Sequence, residues 1–177
     1  DGMISEVRMI PDEKLGVVVL TNGIKSPIGA ITNYTLETML GIEARDWAAE
    51  ALPGANRRQQ EDPRITAIKN ARVPGTRPTL NKDVCAGTYH AAIYGHIMVK
   101  IQGDGFRLEF EHSPDLSASL KHWHHDVWEI VWDQPHAFFG FGTVQFLGNN
   151  KQEVSGMAFE VPNRDIFFEE LKPVKIQ

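Results

Sequence analysis

The feature that most constrains the fold is a series of short alternating segments that occupies the chain from residue 81 onward. Apolar and polar residues alternate most clearly at 93–101 and 106–110, on either side of a turn at 103–105. Such alternation is typical of strands with one buried face. About eight segments share this character, and they lie at 87–90, 93–101, 106–110, 117–124, 127–132, 142–147, 153–161 and 165–171.

Short polar turns join these segments, which favours antiparallel pairing between neighbours along the chain. We therefore expect a mainly β region, formed as a closed up-and-down barrel of about eight strands or as a sandwich. A closed barrel has the further advantage that it leaves no strand edge exposed. The sequence shows no internal repeat and no low-complexity segment.

The first part of the chain has a different pattern. Residues 3–10 alternate like a half-buried strand, 11–14 are polar with a proline first, and 15–20 are almost entirely apolar. Apolar residues then recur at helical spacing over 28–40, and Gly41 ends the run. This predicts a β-hairpin followed by a helix. Two strands and one helix bury too little surface to be stable alone, so we expect them to belong to a larger α/β domain.

The chain between these regions has the composition of a linker. A short helix is predicted at 43–52, ended by Pro53 and Gly54, and prolines recur at 63, 74 and 78. We therefore divide the chain into residues 1–42, the end of an α/β domain, 43–80, a helical and proline-rich linker, and 81–177, the barrel.

The composition of the chain limits the kinds of partner that we expect it to bind. The chain has a formal net charge of −5, so binding nucleic acid would release no counterions, and we expect no nucleic-acid partner. No apolar run approaches the roughly 20 residues of a membrane-spanning helix, so we expect no membrane span. The single cysteine, Cys85, excludes a disulfide within the chain.

Aromatic and histidine side chains supply the candidate binding residues. A small barrel encloses either its own side chains or one small ligand. The candidates for a ligand site in the barrel interior are Tyr94, His122, His124, Trp128 and Trp132. The alternative is that these side chains fill the core and bridge it to a neighbouring domain.

The run from Lys121 to Asp126 contains three histidines and is the one cluster of metal-ligand types in the sequence. A strand would place His122 and His124 on the same face, but zinc needs three or four ligands. No further ligand is predictably close, so we predict no metal site and no cofactor.

Residues 3–22, MISEVRMIPDEKLGVVVLTN, resemble the closing strands of the serine β-lactamase fold, and 28–40 resemble its final helix. The similarity is greatest to the branch with class C β-lactamases, D-amino acid peptidases and related esterases. This resemblance implies that residues 1–42 end a catalytic domain. The protein would be periplasmic or extracytoplasmic if that parent carries a signal peptide, and its location is otherwise left open.

The second region resembles a C-terminal accessory domain that often follows this hydrolase domain. The resemblance is carried by Gly87-Thr88-Tyr89, Tyr94-Gly95, Pro114-Asp115-Leu116, His122-Trp123-His124 and Phe167-Phe168. Members are lipocalin-like β-barrels with no assigned function. The order of the two resemblances along the chain implies that the upstream catalytic domain of the same protein is the partner of the barrel.

The hydrolase family uses a serine nucleophile in the motif S-x-x-K. None of the six serines is followed by a lysine three residues later, so we assign no catalytic residue to this chain. The sequence predicts a noncatalytic C-terminal region of a serine hydrolase, in which the barrel serves domain packing, substrate access or oligomerisation. The alternative function is a barrel that binds a small molecule. Association of two copies through the hairpin and helix is a further possibility.

Overall fold

A computed structural model describes residues 2–23, 26–43, 45–58, 62–136, 138–163 and 166–177. The chain divides into two compact units, residues 1–61 and 62–177, and each is considered by itself.

The first unit is a hairpin with two helices. Strand β1 (Ile4–Ile10) pairs antiparallel with β2 (Leu15–Thr21), and a 3-10 turn at Pro11–Glu13 joins them. Helix α1 (Ile28–Met39) and helix α2 (Trp47–Arg58) follow. The predicted hairpin and first helix are confirmed. Helix α2 continues through Pro53, where the sequence predicted its end. A proline removes only one intrahelical hydrogen bond, so the helical turns on either side of it can still form.

The hairpin has two unlike faces. On the inner face, Val17 and Val19 are half-buried, and the buried Thr32 of α1 donates a hydrogen bond to Glu6 at 3.0 Å. On the outer face, four apolar side chains are between 60% and 76% exposed, namely Val7, Met9, Val18 and Leu20. The unit therefore presents a continuous apolar sheet face to its surroundings.

The second unit is a closed antiparallel barrel of eight strands, as predicted. Its strands follow one another around the barrel in chain order, and the last one returns to the first. They are β3 (Gly87–Ala91), β4 (Gly95–Gln102), β5 (Gly105–Phe110), β6 (Ser117–His124), β7 (Val127–Trp132), β8 (Thr143–Gly148), β9 (Val154–Glu160) and β10 (Val174–Lys175).

The eighth strand is not the segment that the sequence predicted. Residues 166–171 form no strand, and a 3-10 turn at Phe168–Glu170 lies there instead; Asp165, the first residue of the predicted strand, is outside the described residues. Closure comes from β10, which pairs with β3 at His90 and with β9 at Gly156. The apolar pattern of this segment led to a wrong prediction because Phe168 inserts its side chain into the core from a 3-10 turn and not from a strand. Phe168 is only 2% exposed.

Aromatic rings fill one half of the barrel interior. Phe106 of β5 lies 4.7 Å from Trp128 of β7 and 5.2 Å from Phe146 of β8, measured between ring centroids. Tyr89 of β3 extends this cluster, 6.3 Å from Phe146. Side chains from opposite walls thus meet in the middle, as expected for a small barrel.

Helix α3 (Pro63–Asn70) and the short helix α4 (Lys82–Cys85) precede the barrel, and the connector, residues 71–80, runs between them along the β6–β7 turn. The amide of Val73 donates to Nδ1 of His124 at 3.0 Å, and the amides of Thr79 and Leu80 donate to Asp126 at 2.8 and 2.9 Å. Arg72 lies over the Trp123 ring, 4.3 Å from its centroid. The turn therefore holds the connector against the outside of the barrel.

Candidate functional site

The two ends of the barrel differ in their side chains. Residues Ala91 and Gly95 pair at the end where β6 begins and β7 finishes, and Trp132 pairs with Ala118 there. Six aromatic residues and one histidine gather at this end, which we call the aromatic end: Tyr94, Phe110, Trp132, Phe139, Phe159, Phe168 and His136. The rings of Tyr89, Phe106, Trp128 and Phe146 fill the opposite half.

Phe168 lies at the centre of the aromatic end. Its ring centroid is 5.0 Å from that of Phe139, 5.7 Å from Trp132 and 6.4 Å from Phe110. The 3-10 turn that replaces the predicted strand thus closes this end of the barrel with a side chain. Edge-on and tilted contacts of this kind stabilise beyond the area they bury.

The strand pairing between β7 and β8 ends before Trp132 is reached. Strands β7 and β8 are paired only from Val127 to Glu129 of β7, so the last half of β7 has no strand partner on that side. A cavity of about 420 Å³ lies there, and its lining includes residues 133–136, 139 and 140. Trp132, His136 and Phe139 are among the residues that line it.

Hydrogen-bonding atoms without partners concentrate at the aromatic end. In the described part of the chain, four buried side-chain nitrogen or oxygen atoms have no hydrogen-bond partner. Three of them, Tyr94 Oη, Trp132 Nε1 and His136 Nε2, belong to this end, and the fourth is Trp123 Nε1 on the outside of the barrel. Buried polar groups are nearly always paired in folded proteins, so this concentration marks the end as a candidate site.

Among the described residues, the charged side chains that line the cavity are acidic. Glu129 and Asp133 line it. Asp133 accepts hydrogen bonds from Arg107 and Ser117, and these two groups, Arg107 first, hold the pKa of its carboxyl below the usual value. Asp133 is therefore ionised at neutral pH and fixed in place.

Comparison with known proteins identifies the domain that holds this site. The family model described as "Domain of unknown function (DUF3471)" matches residues 71–173, more than half of the chain. The chain belongs to this family. The predicted similarity of residues 81–177 to an accessory domain with no assigned function is confirmed by that match.

One solved structure that is similar to the DUF3471 chain is the C-terminal domain of penicillin binding protein Rv0907. The sequences are 16% identical, the TM-score is 0.44, and the alignment covers 60% of this chain and 95% of that one. No curated protein matches the chain.

The DUF3471 barrel separates the five predicted binding residues. Tyr94 and Trp132 lie at the aromatic end, and both are partly buried against the core. Trp128, 2% exposed, lies in the opposite half of the interior, and His122 packs on its ring at 5.4 Å. His124 is on the outside, where its Nδ1 accepts from Val73.

His124 leaves the inner face because the pairing of β6 with β7 shifts between His122 and His124. A bulge of this kind reverses the side on which the following residues lie, and the sequence gives no sign of it. Burial and then electrostatic interactions with His125, Arg72 and His122 lower the pKa of His124. Its neutral form is therefore favoured, as its acceptor role requires.

Sequence analysis missed His136 as a site residue. Its ring stacks on Phe139 with centroids 4.6 Å apart and planes inclined by 21°. The segment around it lacks both alternation and helical spacing, so no pattern placed it on a face. The available signal was the aromatic run Phe138-Phe139-Gly140-Phe141 close behind it.

The structure also bears on other ligand types. Within the ranges that the structure describes, no three His, Cys, Asp or Glu side chains are arranged to hold a metal ion. Burial raises the pKa of the Cys85 thiol to about 12, which keeps it protonated and unreactive.

Among the helices that the structure describes, none combines the length and the apolar character needed to cross a membrane.

Proposed function

We propose that this chain is the noncatalytic C-terminal region of a serine hydrolase of the β-lactamase and penicillin-binding-protein type. In this proposal the hairpin and α1 complete the sheet of the catalytic domain, and the barrel is an accessory domain that packs on it and shapes access for its substrate. The observation that carries the proposal is the exposed apolar face of the hairpin.

Four large apolar side chains on one sheet face favour contact with another protein layer. Burying a valine, leucine or methionine side chain stabilises by about 1.5–3 kcal/mol, and contiguous exposed patches mark interaction surfaces. The two-stranded sheet also has an unpaired edge on each side. Further strands beside the hairpin would pair its two edges, and a protein layer over its outer face would bury the exposed apolar side chains. The resemblance of residues 3–40 to the end of a β-lactamase-like domain names the domain that supplies them.

The proposal that the chain is noncatalytic rests on its own residues. It contains no S-x-x-K, and its one thiol is held in the unreactive protonated form. A nucleophile must therefore come from the catalytic domain.

The direct test is the coding sequence that precedes the codon for Asp1. We expect an in-frame Lys-x-Gly or His-x-Gly shortly upstream and an S-x-x-K motif farther upstream, since these motifs build this type of active site. An upstream sequence that lacks both motifs would contradict the proposal.

The matching biochemical test compares three purified proteins. They are this chain, an extended protein that also includes the residues encoded upstream of Asp1, and the extended protein without residues 62–177. Only the two extended proteins should hydrolyse nitrocefin or a p-nitrophenyl ester. Loss of the barrel should raise KM more than it lowers kcat, because the barrel holds no reacting group. Turnover by this chain alone would contradict the proposal.

Light scattering on the purified chain tests whether a second copy of this chain, and not a catalytic domain, covers the apolar face of the hairpin. A stable dimer that the substitution Val18→Lys dissociates would assign this face to a second copy. We expect the extended protein to be monomeric and unaffected in size by that substitution.

A further inference from the structure

We propose that the outer face of the barrel beside the β3–β4 turn is a binding site for a divalent transition-metal ion such as zinc. Its ligands are three histidines and one glutamate, namely His90, His96, Glu111 and His112. The site lies wholly within residues 62–177 and does not depend on the proposed hydrolase parent. It is at the opposite end of the barrel from the histidines of the β6–β7 turn.

The first argument is the strand register, which the backbone fixes. His90 of β3 pairs directly with His96 of β4, and the amide of Glu111, just after β5, donates to the carbonyl oxygen of His96 at 3.1 Å. Side chains directly opposite each other on antiparallel strands have Cβ atoms about 4.5–5.5 Å apart on one sheet face. That face is the outer one, because the adjacent Tyr89 and Ile97 are buried in the core.

The second argument is the spacing of the ligand atoms around Glu111. Its Oε2 lies 2.9 Å from Nδ1 of His96 and 3.7 Å from Nε2 of His112. Ligand atoms that share a tetrahedral zinc, each about 2.0–2.1 Å from the metal, are about 3.4 Å from one another. The two observed separations lie on either side of that value, so small rotations place all three atoms around one ion.

His90 supplies the fourth ligand. Its ring centroid is 5.3 Å from that of His96, and two imidazoles bound to one tetrahedral zinc have centroids about 5 Å apart. Imidazole nitrogens suit zinc and related transition metals, whereas calcium and magnesium prefer oxygen ligands. The ligand set therefore selects the transition metals.

The third argument is the position of His112. Its ring lies directly over Gly95, where a Cβ atom would be only 2.8 Å from Nε2. The ring also contacts that of Tyr94, with centroids 5.9 Å apart. The absence of a side chain at Gly95 thus allows Nε2 of His112 to approach the strand row that carries the other ligands.

The ligands are free to turn toward an ion. In the described conformation, His96 is hydrogen-bonded to Glu111, and no three ligands surround one point. The side chains of His96 and Glu111 are 43% exposed and that of His112 is 65% exposed, so they can rotate without disturbing the core. Zinc takes the place of the hydrogen bond, and His96 then carries its proton on Nε2.

The test is a titration of the untagged chain with zinc chloride, followed in ¹H–¹⁵N spectra of the histidine ring nitrogens. We expect saturable binding of one zinc ion per chain, with the three ring signals of the site shifting together and that of His125 unchanged. Calcium chloride and magnesium chloride are the comparison probes. Neither should move these signals at the same concentrations, because the site offers them too few oxygen ligands.

His90→Asn, His96→Asn, His112→Asn and Glu111→Gln should each weaken zinc binding by at least about tenfold, since even partners that only orient a metal ligand are worth about 10–100-fold in affinity. The matched control is His125→Asn in the β6–β7 turn. His125 is exposed and has a φ of 44°, a left-handed conformation that asparagine tolerates. This variant should bind zinc as the unmodified chain does.

Backbone amide signals away from the site report whether each variant keeps the fold. All four ligands are on the surface, and each variant removes one of them independently, so a variant that fails to fold leaves the other three to decide.

Three results would overturn the inference. One is the absence of a saturable shift of the three ring signals with zinc. Another is a zinc affinity that is unchanged in the folded ligand variants or is lost in His125→Asn, which would assign the ion to the β6–β7 turn. The third is a stoichiometry of one zinc per two chains, which would place the ion between copies.

Discussion

At the scale of single residues, two tyrosines of the barrel differ in what their hydroxyl groups contact. The Tyr89 hydroxyl donates a hydrogen bond to the carbonyl oxygen of Cys85, whereas the Tyr94 hydroxyl is buried without a partner. Each can be changed to phenylalanine with little change in volume. The pair therefore separates the contribution of a satisfied hydroxyl from that of an unsatisfied one.

We expect Tyr89→Phe to lower the free energy of unfolding by about 1 kcal/mol, since a hydrogen bond is lost. Tyr94→Phe should leave it unchanged or raise it by up to about 1–3 kcal/mol, because removing an unpaired buried group removes its desolvation cost. Urea unfolding of both variants measures the difference. A larger loss for Tyr94→Phe than for Tyr89→Phe would show that the Tyr94 hydroxyl is paired in solution.

His124 predicts a dependence of stability on pH. Its Nδ1 accepts from the amide of Val73 only when that nitrogen is unprotonated, and its pKa is lowered in the fold. The unfolded chain therefore binds the proton more readily, at a pKa of about 6.5. The contribution of His124 is complete above that pH and is lost as the pH falls through the lowered folded-state pKa.

His124→Asn keeps an acceptor for the Val73 amide and removes the titrating group. The variant should lose less stability than the unmodified chain when the pH falls below about 6.5. Thermal unfolding between neutral and mildly acid pH checks this, with His90→Asn as the control at an exposed histidine. An equal loss in the unmodified chain and in His124→Asn would assign the effect to other groups.

At the scale of elements, the β6–β7 turn is what fixes the connector. The Asp126 carboxylate accepts from the amides of Thr79 and Leu80 and from the Thr79 hydroxyl. Leu80 is 8% exposed and belongs to the core, so the connector is anchored by both polar and apolar contacts.

Asp126→Ala leaves two connector amides without their acceptor. We expect the free energy of unfolding to fall by about 1–3 kcal/mol and the amides of Thr79 and Leu80 to exchange their hydrogens faster. Asp104→Ala, in the exposed β4–β5 turn, is the control and should change neither. Unchanged exchange rates at Thr79 and Leu80 would show that Asp126 does not hold the connector.

The alternation of the barrel strands made most of this unit predictable. Seven of the eight strands lie where the sequence placed them, because period-two burial is a local property of each segment. The eighth could not be found this way. Strand β10 has only two residues, and the burial of Phe168 depends on rings brought together from distant parts of the chain.

The candidate site was predicted only in part for the same reason. Tyr94 and Trp132 were identified from residue type, but the sequence could not tell which end of the barrel each would occupy. The direction of each strand and the bulge near His124 determine where these side chains lie, and neither can be recognised from the local apolar pattern. The hairpin was predicted correctly because its two strands are neighbours in the sequence and each has a recognisable apolar pattern of its own.

At the scale of the whole molecule, the two units should differ in their ability to fold alone. The barrel has closed hydrogen bonding and a core of its own, whereas the hairpin and its helices leave one sheet face exposed.

A protein made of residues 62–177 should therefore unfold cooperatively, with a melting temperature close to that of the barrel in the full chain. Residues 1–61 should give no cooperative transition, because so small a two-stranded unit buries too little apolar surface. Circular dichroism during heating tests both fragments. Failure of the 62–177 fragment to fold would show that the barrel needs the first unit.

The two residues of β10 carry a consequence for synthesis. They join β3 to β9, so the ring of hydrogen bonds stays open until Val174 and Lys175 have left the ribosome, whatever follows them in the chain. Until then, β3 and β9 expose unpaired edges that invite pairing with other nascent chains. The period of greatest risk for the barrel thus lasts until these two residues emerge, and holdase chaperones that shield strand edges should affect its yield in cells.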